Sequence, residues 1–529
     1  MVPQTGAAPG AQLAADAIRS RLLQPKPEPD PLVLPTTNDC KRFAKYLHQR
    51  VTMTSEAVVQ GVFDDLGRLP PLRGDEDVLR NRLRGTRYAE CPISQAWLAH
   101  RPPAARKLLE QALVATPSIA ALPCQRLSRL AQEQLLLVLD WDLPDGVRRQ
   151  VREWFDEGCA PRHVVRAFTK LEPLAKAPRV ICPMEAWMNT FVGPSISFAE
   201  RVLGTCPHFV KGMNIEERTE HMTRTVLQSG IVFAETDYSA FDSTVHLRLR
   251  QLEYECFRPF WLSDDALLAW ILLICNTVIR HVELSPEDEF GNLVIPSMRY
   301  SGEPGTSIGN GIINLYGWWS CPERGLGGFA LAEGDDGFVG SSSPFDLAAH
   351  VRRLGLDMKI DWHCDPTEVK FCGRYLARIG TTIISLSDVR RQLDKFHVSF
   401  TNSSADVAAL LRGKCMANMA LDAATPGVAW ASYAHLQRLG DGVVAYSDAD
   451  RYRLELSGVG SGFVAPRPSL TFDHYESVKA QGLNPVALRE FDQRMELWGA
   501  GVIDDKPTME FPTSNVKADM DVVSVLSRR

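Results

Sequence analysis

The chain has 529 residues, 45% of them apolar and 23% charged. That composition buries a large core and excludes a disordered chain, and the length allows roughly three or four domains or one multi-lobed enzyme. A formal net charge of −6 excludes a protein that is basic throughout, so contact with nucleic acid requires a basic channel inside an acidic shell.

Residues 1–36 are rich in Pro, Ala and Gln and read as a flexible or extended arm, without the basic start and apolar block of a secretory signal. From 37 to about 160 the pattern is helical, with Leu127, Leu130, Leu135 and Val138 at helical intervals. A mixed, basic region follows. It carries Arg162, Arg166, Lys170, Lys176 and Arg179 against one acid, Glu172. Such a stretch is usually a solvated basic face; beside a nucleotide it suits a triphosphate, because Arg binds phosphate bidentately and Lys supplies a point charge.

Ile231, Val232, Phe233 and Ala234 read as a buried strand, with Asp237 just past its end and Asp242 five positions on. The spacing D-x-x-x-x-D alone fits solvated loop acids as well as metal ligands. Residues 266–279 form the longest apolar run, bracketed by Asp264, Asp265 and Arg280. The run falls short of the roughly 20 residues that span a bilayer and reads as a buried core helix. Ser301-Gly302-Glu303-Pro304-Gly305 reads as a flexible turn. Thr306 then opens a helix that buries Ile308, Ile312, Ile313 and Leu315 and carries Asn310 on the same face as Thr306. That helix is either a plain one after a Gly-Pro loop or a polar face turned to a nucleotide sugar. Phe329 to Ala332 and Phe338-Val339 flank Gly334-Asp335-Asp336-Gly337, which reads as a hairpin with an acidic tip. Adjacent acids repel unless a cation neutralises them. If the two strands are neighbours, Asp237 and Asp335 can bridge two Mg²⁺ ions roughly 4 Å apart. Helical signals return after 377, and residues 501–529 read as a tail. Twelve cysteines occur without a C-x-x-C pair and read as reduced core residues. The nearest cluster, His363, Cys364 and Cys372, lacks a fourth zinc ligand.

In this order the segments resemble the RNA-dependent RNA polymerases of positive-strand RNA viruses. "TKLEPLAKAPRVI" is similar to motif F, "DYSAFD" to motif A, "SGEPGTSIGN" to motif B, "GDD" to motif C, "GLDMKIDW" to motif D and "VKFCGRYL" to motif E. GDD alone occurs often by chance; six motifs in order, over about two-fifths of the chain, carry the signal. The order also argues against permuted polymerases in which motif C comes first. "SGEPGTSIGN", "KGMNIEER" and "EVKFC" look closest to tombusvirus- and nodavirus-like replicases.

The resemblance implies an α+β right-hand fold, with an antiparallel palm sheet flanked by helices. Fingers would span 37–230 with motif F, the palm 231–376 with motifs A to E, and the thumb 377–500, with part of 243–300 joining the fingers. It implies two Mg²⁺ ions, replaceable by Mn²⁺, on Asp237 and Asp335, with Asp336 assisting. Lys359 would be the general acid for pyrophosphate, with Lys370 nearby. Lys170, Lys176 and Arg179 would contact the triphosphate. Asp242, Ser301, Gly302, Thr306 and Asn310 would surround the ribose; a site built for the 2′-hydroxyl rejects deoxyribose because its polar groups are left unpaired. Arg162, Arg166, Phe371 and Cys372 would meet RNA, the last two at the turn steadying the primer end. Implied partners are template and nascent RNA, rNTPs and other viral replication proteins. The implied setting is the host cytoplasm, at membrane-associated replication complexes reached by indirect or peripheral contact. Three rivals remain. A reverse transcriptase should place a bulky side chain near Asp242. A non-catalytic RNA-binding scaffold leaves the acids idle, and a metal-dependent phosphodiesterase gives no role to the basic segment or the sugar-facing helix.

Overall fold

The computed structural model describes residues 32–52, 119, 122–170, 179–261, 263–281, 292–293, 298–324, 328–401, 406–460, 462–509 and 524–527. Most of the expected N-terminal arm, Lys176 and much of the expected tail lie outside them.

Helix α1 (Thr37–His48) begins on a capping box between Thr36 and Asp39 and buries Cys40, Phe43, Ala44 and Leu47. Just before it, Val33 N donates to Arg353 O at 2.7 Å, which anchors the end of the expected arm. Strand β1 (Cys124–Arg126) leads to α2 (Arg129–Val138), α3 (Asp145–Glu157) and β2 (Cys159–Pro161), which pairs back on β1. Leu127 is buried ahead of the α2 N-cap, Ser128, whereas Leu130 points outward at 37% exposure. The helical pattern of that region thus starts two residues late.

The basic segment forms strands β3 (His163–Lys170) and β4 (Arg179–Ile181), followed by α4 (Ala186–Leu203) and α5 (Ile215–Arg224). Strand β5 (Val232–Tyr238) opens the central sheet, and α6 (Leu247–Phe257) and α7 (Asp264–Cys275) follow. The long apolar run is not one helix: α7 stops at Cys275, and Val278 and Ile279 belong to β6 (Thr277–His281). Strand β6 pairs in parallel with β3, and with β7 (Asn292–Leu293) completes a sheet ordered β4-β3-β6-β7. Among the described residues no helix is long and apolar enough to cross a membrane.

Helix α8 (Thr306–Ser320) is buried from Ile308 to Trp318. Strands β8 (Phe329–Glu333) and β9 (Asp336–Ser341), helix α9 (Leu347–Arg353) and strand β10 (Met358–His363) follow it. The central sheet has the order β10-β5-β9-β8, antiparallel throughout. Alternation along its strands divides it between two cores. Ala330, Ala332, Val339 and Met358 join the main core with Ile308, Ile312 and Ile313 of α8. Phe233, Leu331 and Phe338 join a second core with Phe371 and Leu376. Those last two residues sit on β11 (Lys370–Phe371) and β12 (Arg374–Ile379), the latter paired with β13 (Thr382–Ser387). The rest is mainly helical: α10 (Val389–Asp394), α11 (Val407–Asp422), α12 (Val428–Leu439), α13 (Asp448–Ser457), α14 (Phe472–Ser477) and α15 (Pro485–Gly499). A third core, from Val389 through Trp430 and Phe491 to Met509, belongs to this part alone. Strand β14 (Val398–Thr401) pairs in parallel with β15 (Ser524–Ser527), so the expected tail contributes a strand. The molecule is α+β.

Candidate active site

The acidic end of the central sheet follows from its register. Thr236 pairs with Gly337, so the next rung sets Asp237 across from Asp336, and Glu333 pairs with Asp336 on the other side. Neighbouring strands lie roughly 4.8 Å apart. Asp335 stands in the two-residue turn between β8 and β9, where Gly334 takes a φ of 66°. Asp237 lies within β5 rather than beyond it, and Ile231, expected in the buried strand, is 72% exposed. Lys359 on β10 is the direct cross-strand partner of Asp237, and both are exposed.

Asn314 of α8 fixes the tip. Its Nδ2 donates to the Asp335 carbonyl at 3.0 Å and the Gly334 carbonyl at 3.4 Å, and its Oδ1 accepts from the Tyr238 hydroxyl at 3.2 Å. Gly337 leaves room for this: a Cβ there would collide with Thr236 Oγ1 and come within 3.0 Å of Asn314 Nδ2.

Negative charge accumulates at this end. Burial pushes Asp336 up to about 6, and Asp335, Glu333 and Asp237 push in the same direction. Burial also raises Glu235 to about 7, opposed by Lys370 and reinforced by Asp336 and Asp237. Glu333 is held by Arg218 at 2.5 Å and accepts from the Cys372 thiol at 3.5 Å. Cys372 and Gly373 turn the chain between β11 and β12 with φ of 52° and 74°. Phe371, expected at the primer end, is instead core: it is 5% exposed and packs 5.9 Å from Phe338. Lys370 pairs with Asp388 at 3.2 Å. His363 faces Glu368 at 3.1 Å while Cys364 is exposed. Among the described residues no three His, Cys, Asp or Glu side chains converge into a closed cation cage. Asp237 and Asp335 instead offer hard oxygens at the exposed end of the sheet. That fits Mg²⁺, which keeps waters and binds through one or two carboxylates plus substrate phosphates.

The second polar centre lies beyond β5. Ala240 takes the left-handed conformation, φ 51°, and turns the chain into a short helix, Phe241–Thr244, that carries Asp242. Burial raises the Asp242 pKa, with the Asn310 hydrogen bond opposing it. Asn310 Nδ2 donates to Asp242 Oδ1 at 2.8 Å, and Arg299 Nε donates to Asn310 Oδ1 at 3.0 Å. Thr306 Oγ1 donates to the Glu303 carbonyl at 2.9 Å. The loop before α8 is not flexible. Glu303 is fully buried at its side chain and accepts from Arg250 at 2.6 and 2.9 Å and from Arg299 at 2.5 Å. The Ser301 carbonyl accepts from Cys182 N at 2.8 Å, and a Cβ on Gly302, φ 107°, would lie 3.1 Å from Cys182 O. The end of the basic hairpin is thereby docked on this loop.

Lys170 and Arg179 are cross-strand partners on β3 and β4, although their side chains, like Lys176, lie outside the described residues. Arg166 is exposed on β3. Arg162 is tied to the Arg126 carbonyl at 2.8 Å, a contact that braces β1.

The sequence reading brought together Asp237, Asp335, Asp336 and Lys359 at one sheet end, and Asp242 with Asn310 beside α8. It missed Asn314, although Thr306, Asn310 and Asn314 recur every four residues along one helix face. It also missed Arg299, Glu333 and the Arg218 that holds Glu333; Arg218 lies in "KGMNIEER", where its charge alone gave no partner. Residues 174–411 match the family described as RNA dependent RNA polymerase. No curated protein matches the chain.

Proposed function

This chain belongs to the RNA-dependent RNA polymerases of positive-strand RNA viruses, and on that premise we propose how its residues transfer nucleotides from rNTPs to an RNA 3′-hydroxyl. Asp237 and Asp335 would hold two Mg²⁺ ions, or Mn²⁺ in their place, with Asp336 assisting. The observation that carries this is the register Thr236–Gly337, which brings the carboxylates of two adjacent strands to one sheet end. Bound there, the ions supply Lewis acidity to the attacking hydroxyl and neutralise charge on the triphosphate. The chain's own contribution is mainly positioning. Asn314 and Gly337 fix the hairpin tip, and Arg218 with Cys372 holds Glu333 aside.

Lys359 protonates the leaving pyrophosphate. It is exposed beside Asp237, whereas the nearby Lys370 is paired with Asp388. Asp242 accepts the ribose 2′-hydroxyl with Asn310 supporting it, while Ser301, Gly302 and Thr306 shape the loop around the sugar. Lys170, Lys176 and Arg179 bind the triphosphate on a hairpin docked against that loop through Cys182. The Cys372 turn meets the primer end with Phe371 packed beneath it, and Arg166 and Arg162 lie on the path of the RNA. The central sheet serves as palm, residues 37–230 as fingers and 377–500 as thumb; the separate core from Val389 to Met509 supports the last assignment. Placement nearest the tombusvirus- and nodavirus-like replicases belongs to this proposal. So does work with other viral proteins at membrane-associated complexes of the host cytoplasm. The Asp242–Asn310 pair argues against a reverse transcriptase.

Purified chain incubated with an RNA template, rNTPs and Mg²⁺ or Mn²⁺ is expected to make labelled complementary RNA. Asp335→Ala is expected to lower synthesis at least about a hundredfold with an unchanged melting temperature. Normal extension by that variant refutes the metal-site assignment, and robust dNTP incorporation by the wild type favours the reverse transcriptase.

A further inference from the structure

Arg299 touches both halves of the sugar site and is only 1% exposed. Its backbone N–H donates to the Asp242 carbonyl at 2.9 Å, and its Nε donates to Asn310 Oδ1 at 3.0 Å. The remaining donors of the fork go to Glu253 and Glu303. Arg250 closes the group, donating to Glu253 at 3.0 Å and to Glu303 at 2.6 Å. The four charged side chains are at most 1% exposed and sum to zero charge. Two more bonds pin the flanking backbone: Arg250 donates to Met298 O at 2.7 Å, and Tyr300 N donates to Glu303 at 3.1 Å. Stability alone is a poor reason for such a group, because apolar residues of similar volume usually do as well. A fixed guanidinium direction is something apolar residues cannot supply.

We propose that Arg299 is a positioning residue for ribose selection: its guanidinium, held by two buried glutamates, dictates which way the Asn310 amide points and so aims Asp242 at the sugar 2′-hydroxyl. The inference rests on the polymerase reading above and adds to it a residue that does not touch the nucleotide. Arginine can only donate hydrogen bonds, and an ionised carboxylate can only accept them. An amide between the two has one satisfied orientation, Oδ1 toward Arg299 and Nδ2 toward Asp242, and that is the arrangement found. A flipped amide would set donor against donor and acceptor against acceptor. Asn310 thereby occupies Asp242 Oδ1. Among the described residues no donor to Oδ2 is found, which leaves that oxygen to the incoming hydroxyl. Gly309 makes room for the device: a Cβ there would lie 2.8 Å from Arg299 Cζ.

Two variants test this by different routes. Arg299→Lys keeps a cation between Glu253 and Glu303 but removes the Nε donor. Gly309→Ala changes no charge and favours the helix, but displaces the guanidinium. The readout is the ratio of kcat/KM for an rNTP to that for its 2′-deoxy analogue on one template, with melting temperature followed alongside. Each variant is expected to lower the ratio about tenfold, the size of one hydrogen bond to a charged group, through the rNTP value and not the dNTP value. Arg299→Lys should add nothing to Asn310→Ala, because both act on one contact. An unchanged ratio in either folded variant, or an equal further drop in the Asn310→Ala background, overturns the proposal. So does unfolding of both, which would make the cluster purely structural. A wild-type chain that incorporates no rNTP would sink the polymerase reading itself, a result distinct from these.

Discussion

Asn314 joins the end of one strand to the tip of the hairpin beside it through three hydrogen bonds, to the Tyr238 hydroxyl and to the Gly334 and Asp335 carbonyls. Truncation to alanine leaves the buried Tyr238 hydroxyl and the Asp335 carbonyl without their partner. The cost of such orphaned groups is about 1–3 kcal/mol. Asn314→Ala should therefore lower the melting temperature and, because Asp335 is then loosely held, reduce kcat while leaving the rNTP KM near the wild-type value. Equal losses in both constants would mean that Asn314 acts on nucleotide binding instead. Ala240 offers the opposite test. Its left-handed φ of 51° costs a non-glycine residue roughly 1 kcal/mol, so Ala240→Gly should hold or raise thermal stability; a clear fall would show that the turn before Asp242 is unstrained. The residue types that metal and sugar chemistry demand were legible in the sequence. Asn314 was not, because its partners are mainly main-chain carbonyls, which every residue carries.

The β8–β9 hairpin shows the same division among elements. Its Asp-Gly pair and flanking apolar runs announced it, and the turn forms two residues earlier than Asp-Gly alone suggests, at Gly334-Asp335. Its neighbour could not be read. The register that brings Asp237 opposite Asp336 depends on Gly337, whose missing side chain lets Thr236 and Asn314 close in. Gly337→Ala should cost about 1–3 kcal/mol by overpacking and reduce RNA synthesis out of proportion, since it parts the two carboxylate strands. Gly380→Ala is the fitting comparison. Gly380 has a positive φ, 59°, where Gly337 has none, and nothing lies within 4 Å of its added Cβ. It should lose about 1 kcal/mol and keep full activity. Similar activity losses in both would detach Gly337 from the site. Elsewhere hydrophobic pattern misled. The run 266–279 is continuous in sequence, yet it ends in a strand because β6 finds a parallel partner in β3, a pairing no local pattern encodes. The loop 301–305 looked flexible from its glycines and proline, yet its buried glutamate is held by Arg299 four residues before it and by the distant Arg250.

Across the whole molecule, helical periodicity after residue 377 was visible, but no motif announced what the separate core does. Its titrating groups give it a distinctive pH response. Burial pushes His397 down to about 3 and His435 down to about 4. The unfolded chain binds those protons near pH 6.5, so their contribution is complete above that pH and is lost as pH falls through 4 toward 3. Asp492 on α15 works the other way. It accepts from Gly427 N at 2.9 Å and from the Tyr475 hydroxyl at 3.0 Å, yet burial outweighs both and pushes it up to about 7. Its folded state holds a proton that the unfolded state has released above its ordinary range, so its contribution is complete below about pH 4 and lost as pH rises through 7. The two windows overlap, and the opposing slopes partly cancel in the wild type. Asp492→Asn keeps the shape and removes the titration, leaving the histidines unopposed. The variant's melting temperature relative to wild type should therefore climb as pH goes from 5 to 8, by the equivalent of a few kcal/mol at most. Parallel wild-type and variant curves would mean that Asp492 is ionised in the folded protein and that its two donors, rather than burial, control it.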